Sequence, residues 1–135
     1  MTAKEYLSRY GEISREILAL LDERQKLEDM LLRLSPNLNA NRVQGGPLPT
    51  PGAAIEKLVD LDSVIAAQVE QLKQTRRAIS ERINAMENPR HRMILQFKYL
   101  DNLSNTRIAD RTGYDERHVR RLHKAALEAL GDLNL

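Results

Sequence analysis

The stretch that decides the fold is Ser104-Asn-Thr-Arg-Ile-Ala-Asp-Arg-Thr-Gly-Tyr-Asp-Glu-Arg-His-Val-Arg-Arg-Leu-His-Lys124. Its spacing predicts two helices joined by a tight turn. Ala109 is small where the second helix passes close to the first. Gly113 falls where the turn needs positive φ, which glycine adopts without a steric penalty. Val119 and Leu122 form the inward face of the second helix, and Ile108 packs against them. Ser104 and Asp115 are the expected caps of the two helices. A helix followed by glycine and another helix is common, but the set with both caps describes a helix-turn-helix.

With Val119, Leu122, Ala126 and Leu130 turned inward, the outer face shows Glu116, Arg117, Arg120, Arg121 and Lys124. A helix that enters the major groove reads base edges with its N-terminal turns. The arginine fork can make two bonds to guanine, and glutamate can accept from the cytosine amino group. Arg117, Arg120 and Arg121 are therefore the expected readers. Lys124 lies nearer the rim, where a phosphate contact positions without specifying. Charge runs on helices are usually solvated faces, and here the motif spacing is what favours double-stranded DNA as the partner.

Upstream, Asn88-Pro89 marks a boundary, because Asn is a favoured N-cap and Pro a favoured first helical residue. The helix begun there is expected to pass Ile94, Leu95 and Tyr99 and stop near Asp101-Asn102. Residues 35–52 hold four of the five Pro and three of the six Gly, which predicts a connection between helices. On either side apolar residues recur at alternating steps of three and four. Tyr6, Tyr10, Ile13, Ile17, Leu20, Leu27, Leu31 and Leu34 form one seam, interrupted by Arg24. Ile55, Leu58, Ile65, Val69, Leu72, Ile79, Ile83 and Met86 form the other, interrupted by Asp62 and Arg76. Each helix spans about 30 residues and cannot bury its stripe alone. Folding back gives an antiparallel, coiled-coil-like hairpin whose paired numbers sum to roughly 89, with Arg24 near Asp62 and Arg76 near Glu12 or Glu16. The expected fold is all-α: a long helical hairpin over 1–88, then a helix-turn-helix domain over 89–135.

Charge follows that division only weakly. Residues 1–88 carry 12 Lys and Arg against 13 Asp and Glu, and residues 89–135 carry 9 against 6 with all three His. A thin two-helix hairpin has exposed flanks, so a homodimer or higher oligomer through the long helices is expected.

Several segments resemble region 4 of bacterial sigma factors. They are Arg92-Met-Ile-Leu-Gln-Phe-Lys-Tyr-Leu-Asp-Asn-Leu-Ser104, Ile108-Ala109, Thr112-Gly113-Tyr114 and Glu116-Arg-His-Val-Arg-Arg-Leu-His123. The chain as a whole resembles a family of phage and prophage proteins with a paired-helix N-terminal part, a Gly/Pro linker and a Gly-Tyr-x-Glu-Arg-His-Val motif. ArpU- and RinA-type regulators of phage late genes are similar at greater distance. The resemblance implies a transcription regulator of phage or prophage origin that binds DNA through the second helix of the motif. By it, Glu116, Arg117, Arg120 and Arg121 fall where region 4 contacts promoter bases. Where such sequences often carry Trp or acidic residues after Ser104, this chain has Asn105-Thr106-Arg107, which adds a phosphate contact through Arg107. The candidate DNA-binding set is thus Ser104, Arg107, Glu116, Arg117, His118, Arg120, Arg121 and Lys124. Nothing resembles the sigma domain that melts promoter DNA, so a complete sigma factor is not expected.

Other functions find little support. The absence of Cys removes disulfides, thiolate metal sites and cysteine nucleophiles together. His118 and His123 are five apart, so on a helix they do not converge on a metal, and Gly45-Gly46 lacks the Lys-Ser/Thr of a phosphate loop. No enzyme, cofactor or metal is expected. The longest apolar run, Ile17 to Leu21, is far short of a membrane span, and Met1 to Tyr6 has no signal-peptide core. A cytoplasmic protein is expected. Two alternatives remain open: a packaging factor of the small-terminase kind, in which the DNA-binding part usually comes first, and a module that docks on RNA polymerase.

Overall fold

A computed structural model describes residues 1–34 and 50–131, and every regular element among them is helical. The elements are α1 (Ala3–Leu34), α2 (Pro51–Asn84), α3 (Pro89–Leu95), α4 (Asn105–Thr112) and α5 (Glu116–Leu130). A single wider π-turn, Gln96–Leu100, extends α3. No strand occurs among the described residues. The all-α reading therefore holds.

Local chemistry sets the helix ends. Thr2 and Glu5 form a reciprocal capping box at the start of α1: each side chain accepts the other's backbone N–H at 3.1 Å. Thr50 caps α2 by accepting from the Ala53 N–H at 3.1 Å, and Pro51 takes the first helical position, where a missing N–H costs nothing. The expected connection over 35–52 thus ends sooner, since its last three residues are a helix cap and first turn. Residues 35–49 lie outside the described residues. Asn88 accepts from the Arg90 N–H at 2.9 Å with Pro89 following, as its sequence predicts. The Arg92 guanidinium donates to the carbonyls of Met86, at 2.5 Å, and Glu87, at 3.0 Å, satisfying backbone acceptors in the connection between α2 and α3. Asn102 takes φ of 53° just past the π-turn, close to the predicted stop.

The chain falls into two compact units. One comprises 1–14 with 71–135, and the other comprises 15–70. In the first, Tyr6, Leu7, Ile79 and Ile83 share one buried cluster with Ile94, Leu95, Tyr99, Leu100, Ile108, Val119, Leu122 and Ala126. The compact units thus differ from the chain-order division at residue 88. The physical reason is size: α3, α4 and α5 have 7, 8 and 15 residues, too few to enclose a core unaided, and the ends of α1 and α2 supply the missing apolar wall.

Within this unit the antiparallel register is visible in two cation–π contacts, Arg82 over Tyr6 at 5.7 Å and Arg76 over Tyr10 at 5.3 Å. Arg76 also donates to the Leu100 carbonyl at 3.4 Å, so a ring and a carbonyl take the place of the expected Glu12 or Glu16. In the second unit Arg24 bonds Asp62 at 2.6 Å and also pairs with Glu28. The partners' numbers sum to 86 or 88, within a turn of the expected value. Arg24 and Asp62 thus meet as the seam predicts.

Because Leu7 is fully buried in the shared cluster, Leu7→Ala should destabilise α5 as well as α1, by about 2–5 kcal/mol. Hydrogen exchange at the Val119 and Leu122 amides reads this directly. Unchanged protection there would separate the hairpin base from the helix-turn-helix core.

Candidate nucleic-acid interface

Two caps and one glycine build the helix-turn-helix. The Ser104 hydroxyl accepts from the Arg107 N–H at 3.2 Å and starts α4. Gly113 ends it with φ of 75°, donating its N–H to the Ala109 carbonyl at 2.9 Å. Thr112 assists: its hydroxyl donates to the Ile108 carbonyl at 2.7 Å and accepts from the Tyr114 N–H at 3.2 Å. Asp115 then caps α5 by accepting from the Arg117 N–H at 2.7 Å. All three punctuation residues act as the sequence predicts.

Burial fixes how α5 is rotated. Val119, Leu122 and Ala126 are buried, and Ile108 of α4 is fully buried with them. At about 100° per residue, Arg117, Arg121 and Lys124 then lie within roughly 40° of the direction opposite Val119, while Arg120 and Glu116 fall on one flank. The structure makes Arg117, Arg120, Arg121 and Lys124 exposed. None of the four has an ion-pair partner among the described residues. Arg107 is exposed on α4. The result is a row of unneutralised cations on the N-terminal and central turns of α5.

Other predicted residues are partly engaged. Glu116 accepts a hydrogen bond from the Thr106 hydroxyl, which ties the first turn of α5 to the first turn of α4. His118 is half-buried, edge-on to the Tyr114 ring with centroids 4.7 Å apart. Ser104 spends its acceptor on the α4 cap and keeps its own proton for another acceptor.

Residues 88–131 match the family model of Sigma-70, region 4. This is a DNA-binding helix-turn-helix domain. The match opens on Asn88, the cap of α3, and closes on Gly131, which caps α5, so the region 4 segment coincides with physical helix boundaries. It covers about a third of the chain. No curated protein and no solved structure matches the chain.

Sequence reasoning missed the inward side of the region 4 segment. His123 is half-buried, and its Nε2 lies 2.6 Å from the Tyr99 hydroxyl. The signal was present, since His123 is four residues after buried Val119 and shares its face. Burial pushes the Tyr99 hydroxyl up to about 12. Burial, with Lys98 and Lys4 nearby, pushes His123 below its ordinary value. Burial and then Lys4 lower Lys98 too, whose ammonium donates to the Asn105 side chain at 2.8 Å. Arg111 of α4 sits 5.7 Å over the Phe97 ring of the π-turn.

Two outcomes follow from this geometry. A Cβ on residue 113 would meet no atom within 4 Å, so Gly113→Ala carries only the backbone cost of positive φ, about 1–2 kcal/mol. Gly113→Asn should cost less in the same denaturant titration; equal or greater loss for Asn would mean that space, not φ, is limiting. His123 holds protons less readily folded than unfolded, so below about pH 6.5 the unfolded chain binds the extra proton. Its contribution is complete above that pH and is lost as pH falls towards the lowered folded value. Denaturant midpoints at about pH 7.5 and about pH 5.5 should therefore differ more in the wild type than in His123→Gln. Equal differences would remove His123 from the acid response.

Proposed function

We propose that this protein is a transcription regulator of phage or prophage origin that binds double-stranded DNA sequence-specifically. It acts by binding, with no catalytic step and no cofactor, and reads the major groove with α5. The observation that carries the reading is the unpaired cationic row Arg117, Arg120, Arg121 and Lys124 on the exposed side of a region 4 helix whose other side is locked in the core. Cations left without carboxylates on a rigid helix are matched to phosphates and to guanine edges. Arg117, Arg120 and Arg121 are the readers, Lys124 and Arg107 contact phosphates, and Ser104 offers its remaining hydroxyl proton to the same strand. Glu116 faces the cytosine amino group and His118 borders it. Self-association through the long helices and contact with RNA polymerase belong to the same proposal.

Selection from a random duplex library at about 150 mM salt should enrich one motif, and an Arg117/Arg120/Arg121 triple-alanine variant should lose it. No enrichment, with retention vanishing on added salt, would leave a weak electrostatic surface and redirect the search to polymerase or packaging partners. Lys124→Ala should lower the salt slope of binding by about one unit on cognate and random DNA alike. A loss confined to cognate DNA would make Lys124 a base contact.

A further inference from the structure

The unit over 15–70 differs in kind from the one that carries the reader. It holds six Lys and Arg against nine Asp and Glu, whereas the rest of the chain holds fifteen against ten. Its buried residues among those described are Ile17 and Ala54, while every large side chain buried to completion, from Leu7 to Val119, belongs to the other unit. Apart from Met1, each exposed large hydrophobic of the described residues lies in it. Leu18, Leu21 and Leu32 of α1 are 65%, 44% and 70% exposed, and Ile55 and Val59 of α2 are 52% and 59% exposed.

These five share one face. Taking the Arg24–Asp62 bond as the line joining the helices, Leu21, Leu32 and Leu18 fall roughly 60°, 80° and 120° round α1. In the same rotational sense Ile55, Ala66 and Val59 fall roughly 20°, 40° and 60° round α2. For antiparallel helices equal sense means the same side. Val64 points away, about 160° round.

We propose that this face is covered by a second copy of the same face, closing two hairpins into a four-helix bundle. Three features favour a copy of this chain over another occupant. The unit is acidic, so it does not suit nucleic acid. The apolar residues of the face fall at two ends, Leu18, Leu21 and Ala66 at one and Leu32, Ile55 and Val59 at the other, with Gln25, Ser63 and Glu28 between them and Glu56 and Glu70 beside the ends. Leu21 and Leu32 are about 16 Å apart along α1. A two-fold axis through the middle therefore lays each apolar end on the other, and Glu28, close to that axis, is paired with Arg24 of its own chain. A hairpin with half a core is completed by its own image.

This deepens the self-association in the proposed function and is independent of whether α5 reads DNA, because the test contains no DNA. Sedimentation equilibrium of the full chain should give twice the 15.4 kDa chain mass. Raising salt from about 0.05 M to about 0.5 M should tighten the dimer, since it screens repulsion between two acidic hairpins. Leu21→Gln with Leu32→Gln should raise the dissociation constant by at least about tenfold while helicity stays unchanged, because both side chains are exposed. A wild-type mass of one chain at about 100 μM, or of more than two chains, would overturn the proposal. So would a dimer that resists the double substitution, and so would a dimer that salt weakens, which would instead dock the acidic unit on the basic one.

Discussion

Burial of Val119, Leu122 and Ala126 against Ile108 and the α3 core is the constraint on which the cationic row of α5 depends. A helix is a rigid cylinder, so fixing one stripe inward fixes every other stripe. Nothing about Arg117 or Arg121 in isolation sends them outward. They face solvent because Val119, two positions from each of them, is committed to the core with Leu122 and Ala126. The cost of exposing those apolar residues, about 1.5–3 kcal/mol for each large one, exceeds anything a surface ion pair could return. The direction of the cationic row is thus decided by aliphatic packing rather than by charge.

The same argument explains why three short helices recruit the ends of the hairpin. Ile94 and Leu95 sit on a 7-residue helix and are nonetheless fully buried. Tyr6, Leu7, Ile79 and Ile83 complete the enclosure. Arg76 and Arg82 then lie across Tyr10 and Tyr6, shielding two aromatic faces at the edge of that core. A consequence is that charge separates by compact unit more strongly than by chain order. The −1 and +3 of the two chain segments become −3 for 15–70 and +5 for the remainder, because acidic α1 and α2 interiors and their more basic ends belong to different units.

What could be read beforehand was what local chemistry decides. Asn88-Pro89, Ser104, Gly113 and Asp115 each answer a need of the backbone within four residues, and each is found in that role. Thr50-Pro51 is the same signal, hidden inside a run of prolines that reads as linker. The Thr2–Glu5 box was equally local, but that segment invites inspection only for targeting signals. The Thr106–Glu116 bond is different in kind. It joins residues ten apart across a turn and exists only once α4 and α5 have crossed. The seat of Arg76 needs three elements together, since Tyr10 and Leu100 come from opposite ends of the chain.

His123 shows how a polar residue can be lost to a pattern search that looks for apolar stripes. It occupies a core-facing position and survives there because Tyr99 supplies a hydrogen-bond partner at 2.6 Å. Burial that pushes the Tyr99 hydroxyl up to about 12 keeps its proton in place, and the direction of the bond to the imidazole follows the His123 tautomer. Protonating His123 would place a charge in a half-buried site with Lys98 and Lys4 already close. The packing of α5 therefore favours the neutral imidazole. The polar pair adds a tie between α5 and the π-turn on the half-buried side of the helix, so the imidazole and the exposed cationic row belong to one rigid element.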